Sequence, residues 1–171
     1  MIANKEEHFR DIAEFRFPRY EEIPDIGLYL DQVVNIVNHA VYPLYTREKP
    51  SLTGAMVNNY TKIGLLDPAN KKKYSRNHVC KLIAICLLKE IFSLPELCVL
   101  FDIQRSTNAD DVAYNNFCLT FEEGLKSVFF PDIYPDNYSV IAKANSYKAL
   151  LNAMVLATIN RIYVEKSIMH R

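Results

Sequence analysis

Glycine is scarce in this chain, at 4 of 171 residues. That is few for a β-rich fold with many tight turns, and no glycine-rich loop able to cradle a phosphate is present. An excess of either charge is also lacking, with 20 Lys and Arg against 20 Asp and Glu. The four cysteines, Cys80, Cys86, Cys98 and Cys118, include no pair with the two-residue gap of a zinc knuckle or redox motif. They fall on apolar faces of helical patterns and read as small buried hydrophobes in a reducing compartment. The four histidines are scattered, and His78 lies two residues from Cys80 on a different helix face. No metal site and no cofactor is expected. The longest apolar stretch, Ala149 to Ile159, is interrupted by Asn152 and Thr158. It falls short of the roughly 20 residues needed to span a bilayer. The first residues lack the apolar run of a signal peptide. A soluble, cytoplasmic protein with no membrane association is expected. There is no His-Glu-x-x-His and no Gly-x-Ser-x-Gly. The acid pairs Asp110–Asp111 and Glu122–Glu123 are adjacent in sequence, so they do not face each other on a helix and read as solvated. Nothing argues for an enzyme.

What is present is ample apolar content, 50% of residues, distributed at helical spacing. Residues 1–16 are charged and mildly amphipathic, which predicts a frayed or loosely docked helix. Phe17-Pro18 and Ile23-Pro24 mark an extended approach, because proline disfavours helix at the preceding residue. Ile26, Tyr29, Leu30, Val33, Val34, Ile36 and Val37 then predict a first core helix ending near Val41. Pro43 and Pro50 bracket a loop. Thr53 caps the next helix, whose apolar positions are Met56, Val57, Tyr60 and Ile63, and Gly64 stops it in the left-handed conformation. Leu65 and Leu66 return to the core. After the turn composition Asp67-Pro68-Ala69-Asn70, Lys71 to Tyr74 allow no more than one short strand or hairpin arm. Ser75 caps a buried helix. Ser93-Leu94-Pro95-Glu96 has the form of a capping box and opens a short helix. The polar run 102–108 reads as a boundary. A helix follows from about 109 to 130, and a last one from about Ser139 towards Met169, apolar around most of its circumference between Ala149 and Ile159. The fold class expected is mainly α, with a head over 17–104 and a C-terminal helical region over 105–171 that packs or dimerises.

Charge gathers in one place. From Thr53 to Lys89 there are seven Lys and Arg against one acid, Asp67, a net of +6. Such a segment suits a polyanion such as a nucleic-acid backbone. The order of capped helix, glycine stop, basic arm, capped helix and capping-box helix is that of a winged helix-turn-helix with a minimal β wing. The recognition helix would be about 53–63 and the basic wing about 70–74. The candidate DNA-binding residues are Thr53, Asn58, Asn59, Tyr60, Lys62, Lys71, Lys72, Lys73, Tyr74 and Arg76. The asparagines can both donate to and accept from base edges. The cations can neutralise phosphates, and the tyrosine hydroxyls can donate to phosphate oxygens.

The run Asn59-Tyr60-Thr61-Lys62-Ile63-Gly64-Leu65-Leu66, then Pro68, Tyr74-Ser75 and Phe92-Ser93-Leu94-Pro95-Glu96-Leu97, resembles the DNA-binding head of MerR-type transcriptional regulators. The resemblance covers about residues 52–101. From Ile23-Pro24-Asp25-Ile26 onward the chain also resembles an uncharacterised bacterial family that carries this head. The resemblance implies a transcriptional regulator that binds double-stranded DNA as a homodimer through its C-terminal helices. This chain has Ala55 and Asn58 where MerR-type recognition helices usually carry arginine, and its wing is shorter. A protein-interaction module that keeps the fold without binding DNA is the alternative. A third reading has the C-terminal bundle hold a small apolar effector.

Overall fold

The computed structural model describes residues 2–45, 51–134 and 147–169. The loop boundary expected at Pro50, the turn expected at Pro135-Asp136 and the start of the last helix expected at Ser139 lie outside the described residues. Within them the chain forms α1 (Ile2–Ala13), α2 (Leu30–Val41), α3 (Gly54–Lys62), α4 (Arg76–Leu88), α5 (Leu94–Thr107), α6 (Asp110–Phe129) and α7 (Tyr147–Met169). Short 3-10 turns stand at Tyr20–Glu22 and Tyr42–Leu44. The mainly α class expected from the sequence holds. Strand-type pairing among the described residues is confined to two isolated antiparallel bridges, Leu28 with Tyr74 and Asn70 with Lys73. No described helix is long and apolar enough to cross a membrane.

Local signals set most helix ends. Thr53 precedes α3 in extended conformation, and its hydroxyl accepts the Met56 amide at 3.3 Å. At the other end Gly64 takes φ +78°. The Gly64 amide then reaches the Thr61 carbonyl and the Leu65 amide reaches the Tyr60 carbonyl, a Schellman closure that satisfies carbonyls otherwise left open at a helix end. Ser93 and Glu96 form the expected box: the Ser93 amide donates to the Glu96 carboxylate at 2.8 Å, and the Glu96 amide returns to the Ser93 hydroxyl at 3.5 Å. Hydrogen bonds from Ser93 hold the Glu96 carboxyl below its ordinary pKa.

Packing decides the rest. One continuous cluster of buried side chains runs from Phe9 on α1 to Ile162 on α7. The helix at its centre is α4, where Val79, Cys80 and every residue from Leu82 to Leu88 are buried. It packs against α2, α6 and α7. The sequence places the all-round apolar helix at the C-terminus instead. There α7 buries one stripe, Leu151, Met154, Val155, Thr158, Ile159, Ile162 and Lys166, and lies mainly on α6, with further contacts to α4 and α5. Two further expectations are corrected. α1 is docked, with Phe9 edge-on to Phe129 at 5.1 Å and Ile12 buried. The polar run at 102–107 is the second half of α5, with Asp102, Arg105, Ser106 and Thr107 exposed and Gln104 half-buried, and the helix ends only where Asn108 turns extended.

The segment between α1 and α2 is stitched to α6. Arg19 pairs with Glu122 through two 2.6 Å hydrogen bonds, and the Phe17 amide donates to the same carboxylate at 2.8 Å. This pairing raises the Arg19 pKa. Glu122, read from the sequence as solvated, is thus a mostly buried anchor. Its neighbour Glu123 is exposed as expected.

Candidate nucleic-acid interface

Four contacts hold α3 and the chain leading into it. Its first residue, Gly54, approaches α2 so closely that an added Cβ would lie 3.2 Å from the Leu30 side chain. The connection leading to it is clamped by Asn38, whose side-chain amide donates to the Leu52 carbonyl at 2.9 Å while its oxygen accepts the Leu52 amide at 2.8 Å. The start of the same connection is tied to the core from two sides. The Tyr45 hydroxyl donates to the Cys86 carbonyl, and the buried Lys166 ammonium donates to the Pro43 and Tyr45 carbonyls at 3.2 Å. Burial lowers the Lys166 pKa. Both described ends of the connection are therefore tied to the helices beside them.

So held, α3 buries Val57 and Tyr60 and exposes Ala55, Met56, Asn58, Asn59, Lys62 and Ile63. At 100° per residue these six positions form one contiguous arc of the helix surface. Met56 and Ile63, assigned to the core by their spacing, are 37% and 42% exposed. The face that α3 presents to the core is narrower than the apolar spacing implies.

The basic segment is a tight turn. Asn70 and Lys73 exchange both backbone hydrogen bonds, at 3.0 and 2.9 Å. Between them Lys71 and Lys72 sit at φ 48° and 64°. Two consecutive positive φ values mark a type I′ hairpin turn, a geometry that favours Asn and Gly. The left-handed conformation disfavours a residue with a Cβ by roughly 1–2 kcal/mol. Both lysines are exposed, and among the described residues no acid is ion-paired with Lys62, Lys71 or Lys72.

The turn docks through its flanks. Tyr74 and Leu28 exchange backbone hydrogen bonds of 2.9 and 2.8 Å. Lys73 lies flat across Gly27, where an added Cβ would fall 3.1 Å from the lysine Cβ, and its ammonium sits 3.3 Å from the Tyr29 ring centre. His78, in the first turn of α4, spans the base of the hairpin. Its Nδ1 accepts the Ser75 amide at 3.0 Å, which leaves the hydrogen on Nε2, 3.2 Å from the Asp67 carbonyl.

The ten candidate residues therefore separate. Asn58, Asn59, Lys62, Lys71 and Lys72 are exposed. Thr53 is half-buried and serves as a cap. Lys73 is half-buried against Tyr29. Arg76 is half-buried too, its Nε donating to the Ile23 carbonyl at 2.8 Å and its guanidinium lying 5.0 Å from the Tyr20 ring centre. Tyr60 and Tyr74 are core residues, 3% and 8% exposed, and burial pushes the Tyr60 phenol up to about 12. The stripe that Tyr60 shares with Val57, and the bridge that Tyr74 makes with Leu28, turn both side chains inward. Tyr29, Gly27 and His78 were missed as supporting residues. Their partners lie across a turn or on another element, where spacing gives no signal.

No curated protein and no solved structure matches the chain. A family model described as a domain of unknown function, DUF1836, matches residues 18–119. The match takes in the α3 face and the lysine turn together with the helices that hold them, and by that span, more than half of its length, the chain belongs to the DUF1836 family.

Proposed function

We propose that the protein is a DNA-binding transcriptional regulator of winged helix-turn-helix type. In this reading α2 and α3 form the helix-turn-helix, α3 enters the major groove, and the turn at 70–73 is a minimal wing. Asn58 and Asn59 read base edges, Lys62 takes a phosphate beside them, and Lys71 and Lys72 take phosphates at the flank. Met56 and Ile63 flank that face and can meet thymine methyl groups. The protein acts as a homodimer on half-sites spaced by about one helical turn, 34–36 Å, or a multiple of it.

The observation that carries the reading is the pair of lysines held at positive φ at the tip of a docked turn. A turn selected only for stability would carry Asn-Gly there. Backbone strain kept at an exposed site invites a functional explanation. The test is the double variant Lys71→Ala/Lys72→Ala, titrated against duplex DNA by fluorescence anisotropy. Loss of two phosphate contacts should flatten the slope of log affinity against log salt by about 1.8. An unchanged slope would remove the wing from the account.

A protein-interaction module is the second reading. It is favoured by the partial exposure of Met56 and Ile63 and by the engagement of Lys73 and Arg76 with tyrosine rings, which leaves few cations for phosphate. An absence of DNA binding at low salt would select it.

A further inference from the structure

Between α4, α5, α6 and α7 lies a cavity of about 310 Å³. That is the small end of the roughly 300–1,000 Å³ range of ligand pockets. Its floor is apolar, with Ala84, Phe101, Phe117 and Met154 among its walls. Lys81 and Arg105 stand at its rim together with the acids Asp67 and Asp110. The acids and Arg105 are exposed, whereas Lys81 is half-buried, so the least exposed of these four charges is a cation. Its ammonium lies 5.0 Å from the centre of the Phe101 ring. Among the described residues no carboxylate is ion-paired with it or with Arg105. Burial, with Arg105 nearby, lowers the Lys81 pKa. Asp67, Asp110 and Asp102 act on this ammonium through space and offset part of its burial, but none pairs with it, and an incoming anion would offset the remaining desolvation cost.

We propose that this cavity binds a small amphipathic carboxylate, its apolar body on the Phe101, Phe117 and Met154 floor and its carboxylate between Lys81 and Arg105. Asp67, Ser75 and His78 also line the cavity, and they are the residues at the base of the lysine turn. If the turn contacts DNA, as proposed above, a bound carboxylate presses on its anchor and changes DNA affinity; this consequence rests on that reading, whereas the binding site does not.

The test uses calorimetry on the full chain with octanoate, octanol and octylamine as matched probes. Octanoate is expected to bind about tenfold or more tighter than octanol, because the charge-assisted contact is available to it alone. Lys81→Gln, with Arg105 still in place, should reduce that preference severalfold while leaving octanol binding in place. A bulky Ala84→Phe variant, filling the floor, should abolish binding of both. Should Ala84→Phe fail to fold, the Lys81→Gln comparison decides alone. Octylamine or octanol binding as well as octanoate, a preference that Lys81→Gln leaves unchanged, or no heat from octanoate would each overturn the site. DNA anisotropy with and without octanoate is read separately. DNA binding that octanoate leaves unchanged overturns the coupling, and a protein that takes up octanoate but never binds DNA counts against the regulator reading.

Discussion

The Asn38 side chain and the Leu52 backbone face each other as two strand residues would, each donating one hydrogen bond and accepting one, at 2.9 and 2.8 Å. This pair fixes α3 relative to α2 although the connection between the helices is long. Asn38→Ala leaves both the amide and the carbonyl of a buried residue unpaired. At about 1–3 kcal/mol for each of the two stranded groups, we expect a loss of about 2–6 kcal/mol in chemical denaturation. Asn38→Asp keeps the acceptor and loses the donor, and should fall between. A loss below 1 kcal/mol for the alanine variant would mean that Tyr45 and Lys166 alone hold the connection.

The lysine turn separates charge from conformation. Lys71→Asn combined with Lys72→Gly relieves two left-handed residues with side chains, each disfavoured by roughly 1–2 kcal/mol. The double variant should unfold at a higher denaturant midpoint and show a flatter salt dependence of DNA binding. Greater stability with unchanged DNA binding would make the turn purely structural.

Glu122 serves three donors, two from Arg19 and one from the Phe17 amide, and its side chain is 12% exposed. Removing one partner of a buried pair strands the other, at a cost of about 3–5 kcal/mol. Glu122→Ala should approach that loss in a urea titration. Glu122→Gln keeps an acceptor for the amide and should lose less.

High pH should weaken the fold. Burial pushes the Cys86 thiol up to about 11, the Cys118 thiol up to about 12 and the Tyr60 phenol up to about 12. Each group favours its neutral form in the folded chain. That stability is complete below the unfolded values, near 9 for a thiol and 10 for a phenol, and is lost as pH rises through the folded values. Buried Lys166 and half-buried Lys81 act the other way, because their lowered pKa values relieve a charge cost as pH climbs towards 10.5. With three acids named against two lysines, Tm measured from pH 8 to 11 should fall, and Cys86→Ala should fall less steeply than wild type. A flat profile would mean that these side chains reach solvent more easily than their burial implies.

Chain-local physics was legible in the sequence. The Thr53 cap, the Gly64 stop and the Ser93–Glu96 box depend on residues within a few positions of one another, and each stands where the sequence puts it. What depended on distant partners was not legible. Arg19 and Glu122 are separated by 103 residues, so nothing in the spacing of either announced the pair. Met56 and Ile63 share the spacing of core residues, but α3 packs through too narrow a face to cover them. The Ser75 cap was legible, yet its partner three residues on is His78 rather than the Glu or Gln that sequence rules look for. Of the candidate site, residue types and order were readable. Which cations stay exposed was decided by the Tyr29 and Tyr20 rings that engage Lys73 and Arg76.

The most direct test is a salt titration of binding to mixed-sequence duplex DNA by fluorescence anisotropy. With Lys62, Lys71 and Lys72 as the exposed cations of each head, log affinity should fall against log salt with a slope of about −2.7 per head. That slope should become shallower by about 0.9 for each of the three changed to alanine. No binding at low salt, or a slope that none of the three variants alters, would contradict the DNA-binding account and turn the search towards protein partners of the α3 face.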